Sequence, residues 1–173
     1  MLIVLIGYKK NSGKDTAVNF IKENYDDFYI TSFAKLIRKL IIELLGIKTL
    51  EELEDYKREN DKMYRHYATI IGKFLNVDLD NSLINYSINE IENKDFVIFS
   101  DFRLKKEYNA IIRSYKNKAK IVTINIKRDN DNNDNSYTNA DLDDFNFDYI
   151  IENNSTIDDL KENILNIIKE IRS

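Results

Sequence analysis

The spacing of apolar positions along this chain changes from segment to segment, and each change predicts an element. Leu2 to Ile6 is an unbroken apolar run rich in β-branched residues. Such a run predicts a strand buried on both faces, as in a parallel sheet. Gly7 to Gly13 is a polar loop bounded by glycines. Over Lys14 to Asn24 the period becomes helical, with Ala17, Phe20 and Ile21 on one face. Phe28 to Thr31 predicts a short second strand. Phe33 to Leu45 carries Phe33, Leu36, Ile37, Leu40, Ile41 and Leu44 at helical spacing and stops at Gly46.

Leu50 to Asn60 and Lys62 to Leu75 predict charged amphipathic helices. Asp80 to Glu92 predicts another, with Leu83, Ile84 and Ile88 inward. Phe96 to Phe99 is a buried strand running into Ser100 and Asp101. Leu104 to Tyr115 is a helix, and Ile121 to Ile126 a strand leading to Lys127 and Arg128. The Asp/Asn run from Asp129 to Asn135 predicts a solvated loop. Tyr149 to Ile151 is a last short strand, and Ile157 to Ile171 the closing helix.

Strands alternating with helices predict an α/β fold with a parallel sheet. The helices between residues 34 and 92 have no strand among them, so they predict a helical insertion on one side of the sheet. The 173 residues fit one domain with a core of ordinary size.

Composition narrows the function classes. The net charge is −4, which argues against a nucleic-acid or membrane-surface binder, since both need a concentrated basic face. Cysteine is absent, which excludes disulfides, thiolate metal sites and a cysteine nucleophile. His66 is the lone histidine, too few for a multi-histidine zinc site, and no GxSxG turn accompanies it. It reads as a helix-face residue. The opening apolar run is too short for a signal peptide or a membrane span. The expectation is a soluble, cytoplasmic protein.

The strongest chemical signal is Gly7-Tyr8-Lys9-Lys10-Asn11-Ser12-Gly13-Lys14-Asp15-Thr16, between a strand and a helix. That is the context of a Walker A loop. Glycines let the backbone curl so that several N–H groups face one phosphate, and the helix N-terminus adds its positive dipole end. Asn11, Ser12 and Gly13 supply the cradle. Lys14 is placed to reach the β- and γ-phosphates, and Thr16 to bond an α- or β-phosphate. Five residues separate Gly7 from Gly13, where the usual pattern has four. Either Tyr8 takes the position of the first glycine or the loop carries an extra residue. Asp15 stands where Ser or Thr is usual, and its carboxylate can still hold Mg²⁺, directly or through water. The alternative is a glycine turn with a solvated lysine.

The string Ser12-Gly13-Lys14-Asp15-Thr16 after an apolar strand resembles the bacteriophage-type deoxynucleoside monophosphate kinases. Phe33-Ala34 with Arg38, Leu40 and Gly46 is similar to that family's segment after its second strand. Arg65 and Gly72 fall in a helix resembling its R-x-L-x-Q-x-x-G stretch, without the glutamine. Asp101-x-Arg103-x-x-x-Glu107 resembles its D-x-R-x-x-x-E motif. Arg128 follows the next strand, and Asn153 precedes the last helix, as in the family. Thr138, Ala140 and Leu142 are in register with its H-x-[ST]-E-x-x-L segment, with Ser136 and Asn139 where His and Glu are common. The resemblance implies a three-layer P-loop NTPase fold with a helical acceptor-binding insertion and a short lid near 128–142. It implies transfer of the ATP γ-phosphoryl group to a (deoxy)nucleoside monophosphate, with Mg²⁺. Small-molecule nucleotides would be its partners; monomer and homodimer both stay open.

Each residue outside the loop has two readings. Asp101, at the carboxyl end of a strand, is either a Mg²⁺-water ligand or acceptor contact, or the N-cap of the next helix. Arg103 is an acceptor-phosphate clamp or an exposed helix-start cation. Arg38 and Arg65 compete for the same task, against the alternative of plain solvation. Glu107 orients Arg103 one turn away. Arg128 stacks on adenine or neutralises the transferring phosphate, or is a strand-end cation. Asn153 lines the adenine pocket through its loop backbone, or shares an N-cap role with Asn154 and Ser155. Tyr8 packs on a base or covers the sheet edge. Two rival functions stand beside the kinase: another small-metabolite P-loop kinase of phosphomevalonate type, and a non-catalytic nucleotide-binding protein.

Overall fold

A computed structural model of the protein describes residues 1–7, 9, 11–75, 82–129 and 141–173. Its elements are β1 (Leu2–Gly7), α1 (Lys14–Asn24), β2 (Tyr29–Thr31), α2 (Lys35–Leu45), α3 (Leu50–Glu59) and α4 (Asp61–Lys73). They continue with α5 (Ser82–Glu90), β3 (Phe96–Phe102), α6 (Lys105–Tyr115), β4 (Lys120–Lys127), β5 (Tyr149–Glu152) and α7 (Ile157–Arg172). The expected Tyr8, most of the 128–142 segment and the Asp/Asn run from 130 onward lie outside the described residues. So do Thr138, Ala140, Ser136 and Asn139.

The five strands form one parallel sheet in the order β2-β3-β1-β4-β5. β1 is central because every one of its residues is buried and can pack on both sides. Alternation sends Leu2, Val4 and Ile6 to one face. There they join Ala17, Val18 and Ile21 of α1 and Leu160, Ile164, Ile168 and Ile171 of α7. Ile3 and Leu5 point to the other face and are equally buried. The crossover from β1 to β2 and that from β3 to β4 run in opposite directions along the sheet. Right-handed connections therefore put α1 and α6 on opposite faces. Rings of Phe102, Tyr108, Phe145 and Phe147 stack edge-on at the end of β3 and fix residues 145–147 against α6.

Residues 33–90 form a compact unit of their own, and residues 1–32 with 91–173 form the other. In the helical unit, Ile37, Ile41, Leu53, Leu75 and Leu83 make the core. The α2 stripe is narrower than its spacing predicts: Leu44 is 73% exposed. Only Ile37 and Ile41 of α2 are buried, because α4 and α5 meet a limited arc of it. Gly46, at φ 65°, ends α2 as expected. Among the described residues, no helix is long and apolar enough to cross a membrane.

Candidate functional site

The chain leaving β1 heads toward β2, while the chain leaving β4 heads toward β5. The carboxyl ends of β1 and β4 thus flank the topological switch point, where ligands bind in open α/β sheets. Gly7 ends β1 there, in register with Asn125 of β4 and Phe102 of β3. A Cβ on Gly7 would lie 2.3 Å from the Phe102 carbonyl oxygen, so only glycine lets β1 and β3 close up at this point. Beyond it, Asn11 at φ 63° and Gly13 at φ 101° turn the backbone through left-handed conformations within three positions.

Two side chains at this loop, Ser12 and Lys14, are buried, while Asn11 is exposed. Ser12 is fully buried, and its hydroxyl donates to the Lys9 carbonyl at 3.2 Å. The Lys14 ammonium donates to the same carbonyl at 3.1 Å. Lys14 is only 5% exposed. It is the first residue of α1, where the helix dipole is already positive. Gly13 is the N-cap and offers no side chain to the opening N–H groups. A buried cation on an N-terminus that no side chain caps concentrates positive potential, which an anion would relieve. Asp15 is exposed and Thr16 half-buried on the same turn.

Asn153 meets this loop from across the sequence. Its Nδ2 donates to the Ser12 carbonyl at 2.8 Å, and its backbone N–H donates to the Lys127 carbonyl at 2.7 Å. The N-cap of α7 is Thr156, locked in a reciprocal capping box with Asp159. The capping alternative for Asn153 therefore fails: three residues separate it from the helix start, and its amide is engaged elsewhere. Asn154 accepts from the Asp129 N–H at 2.9 Å instead.

Asp101 lies within β3, half-buried. It is not the N-cap of α6; that position is Leu104. The cap is supplied from inside the helix. Glu107, buried within α6, accepts the N–H groups of Arg103 at 2.9 Å and Leu104 at 3.0 Å through Oε2. Asp141 accepts the next one, from Lys105, at 2.5 Å. Glu107 thus acts on the Arg103 main chain. Burial, then the negative charge of Asp101, push its carboxyl up to about 8, against the pull of the two N–H groups and Arg103. Asp101, Arg103 and Glu107 are one local unit in which a buried acid sets the backbone that carries Arg103.

Of the other expected residues, Arg128 is exposed directly after β4. Arg38 and Arg65 belong to the helical unit. Arg38 is half-buried, and its charge opposes the burial that raises the Tyr64 hydroxyl. Arg65 is exposed and bonds Asp61 at 2.7 Å one turn away, an arrangement worth little to stability. His66 is exposed on α4. Among the described residues, no three His, Cys, Asp or Glu side chains gather in a way that could hold a metal ion.

Sequence reasoning missed Asn125. It sits inside the apolar run Ile121 to Ile126, 3% exposed, and its Oδ1 has no hydrogen-bond partner among the described residues. A polar residue in a strand buried on both faces was the available signal. Thr123, two residues earlier, satisfies itself structurally: its N–H and hydroxyl both bond Asp148 at 2.8 Å. No protein-family model matches the chain, and no curated protein matches it either.

Proposed function

We propose that this chain is a P-loop kinase that moves the γ-phosphoryl group of ATP onto the phosphate of a (deoxy)nucleoside monophosphate. The observation that carries the reading is Lys14: a buried lysine opening α1, behind a loop with two left-handed residues, at the switch point of a parallel sheet. Glycine at the close approach to β3 and at the helix start supports a cradle built from main chain. The α/β sheet with helices on both faces supports the three-layer P-loop architecture.

In this reading Asn11, Ser12, Gly13 and Thr16 bind the triphosphate, and Lys14 follows the charge as it moves. An oxygen of the acceptor phosphate forms a bond to the γ-phosphorus. The bond from that phosphorus to the β–γ bridging oxygen breaks, and ADP leaves with the electron pair. The acceptor is already an anionic nucleophile, so the chain needs no general base. Its work is alignment and charge neutralisation. Arg103 clamps the acceptor phosphate, and Arg128 faces the adenine or the transferring group. Asn153 belongs to the nucleotide side.

Mg²⁺ that arrives with phosphates takes only one or two carboxylates from a protein. Asp15, exposed beside Lys14, and Asp101, half-buried at the end of β3, fit that need without a three-residue cage. When bound, Mg²⁺ would supply neutralisation of phosphate charge.

The test is turnover of the common ribo- and deoxyribonucleoside monophosphates with Mg-ATP, reading ADP and diphosphate product together. Acceptor-dependent formation of a nucleoside diphosphate is expected. ATP consumption that no nucleoside monophosphate stimulates would contradict the proposal.

A further inference from the structure

Within the phosphate loop, the Ser12 hydroxyl and the Lys14 ammonium both bond the Lys9 carbonyl. From the far end of the chain, Asn153 bonds the main chain of the loop at Ser12. We propose that Asn153 is a positioning residue: it fixes the orientation of the Ser12–Gly13 peptide and so presets the phosphate loop before nucleotide arrives.

A trans peptide is planar, with its C=O and N–H on opposite sides. The Asn153 amide holds the Ser12 carbonyl at 2.8 Å. Fixing that carbonyl fixes the direction of the Gly13 N–H, away from Asn153. Asn153 can act as a fixed point because its own N–H is bonded to the Lys127 carbonyl at 2.7 Å, at the end of β4. It is 9% exposed, so water competes poorly for the bond. Gly13 completes the pair. A Cβ there would stand 2.3 Å from Asn153 Nδ2. Absence of a side chain at residue 13 thus serves the contact as well as the positive φ.

The chemistry requires a donor at residue 153. An aspartate would set an anion against the Ser12 carbonyl and beside a loop built for anions. The ends of β4 and β5, reached through Lys127 and Asn153, thereby become the scaffold of a loop that starts on β1. This inference rests on taking residues 7–16 as the phosphate loop, but its decisive readout needs no nucleotide.

Hydrogen exchange of the ligand-free protein, followed peptide by peptide in the wild type and in Asn153→Ala, is the experiment. Peptides spanning residues 9–16 are expected to exchange about tenfold faster in the variant, the loss expected for one buried hydrogen bond. β4 and the second half of α7 should be unchanged. Asn153→Ser, which stays polar but is too short to reach Ser12, replaces the alanine variant if that one fails to fold. A double-variant comparison adds a second reading: Gly13→Ala should disturb loop exchange less when residue 153 is already alanine. Unchanged exchange over 9–16 would overturn the proposal, as would equal acceleration across β4 and α7. ADP affinity, measured in parallel, should fall about tenfold with the loop. Altered loop exchange in a protein that binds no nucleotide would uphold the positioning role and remove the kinase reading.

Discussion

The buried carboxyl of Glu107 accepts the main-chain N–H of Arg103 at 2.9 Å, within a turn that also carries Asp101. The contact makes Glu107 the internal cap of α6 and gives it a consequence for pH. Its carboxyl sits at about 8 in the folded protein, far above its ordinary value of 4.5. Between those values the folded state holds the proton and the unfolded state does not. Stability therefore declines as pH rises from 5 toward 9. Glu107→Gln keeps an oxygen for both N–H groups and carries no charge. Its melting temperature should be less pH-dependent over this window and should exceed the wild type at pH 9. A Gln variant that loses stability as steeply as the wild type would contradict this.

Glu107→Ala removes the acceptor altogether. The half-buried N–H of Arg103 and the buried N–H of Leu104 lose their partner, at a cost of about 1–3 kcal/mol. Urea denaturation of the Ala and Gln variants at pH 7 separates the cap from the charge. Only the Ala variant should be strongly destabilised.

Gly7→Ala tests the close approach of β1 and β3. The added methyl would meet a main-chain oxygen at 2.3 Å, and no side-chain rotation can move it. Overpacking of this kind costs about 1–3 kcal/mol. The melting temperature should fall by several degrees. An unchanged melting temperature would show that the strand ends can separate freely.

Arg103→Ala separates its role in the site from its role in the helix. Glu107 bonds the main chain at 103, which the substitution leaves in place. Stability should change by less than about 1 kcal/mol, because the half-buried side chain goes while the main-chain cap stays. The KM for the acceptor should rise at least about tenfold, the loss of one charge-assisted contact, with ATP affinity unchanged. Equal kinetics for every acceptor would remove Arg103 from the site.

Local pattern carried most of the fold into view. The bounds of α1 follow from the glycine before Lys14 and the helical recurrence of Ala17 and Ile21, both of which bury fully. The apolar runs at Leu2 to Ile6 and Ile121 to Ile126 became central strands, because only a sheet covered on both faces accepts them. What the pattern could not carry was long-range. The bond from Asn153 to Ser12 spans 141 positions, and no periodicity encodes it. Glu107 looked like a surface partner for the Arg103 side chain, since spacing cannot tell a buried cap from an exposed pair. Asn125 was hidden by its apolar neighbours. Leu44 matched the α2 stripe in spacing, yet the partners of α2 cover too narrow an arc to reach it.

Calorimetric titration of Mg-ATP into wild type and Lys14→Ala tests most directly the proposal that a main-chain cradle and the Lys14 ammonium take up a triphosphate. One saturable site is expected in the wild type, weakened at least about a hundredfold in a variant that remains folded, as a charge-assisted contact to phosphate of about 3 kcal/mol requires. Equal affinity in the two proteins, or no binding by a folded wild type, would contradict it.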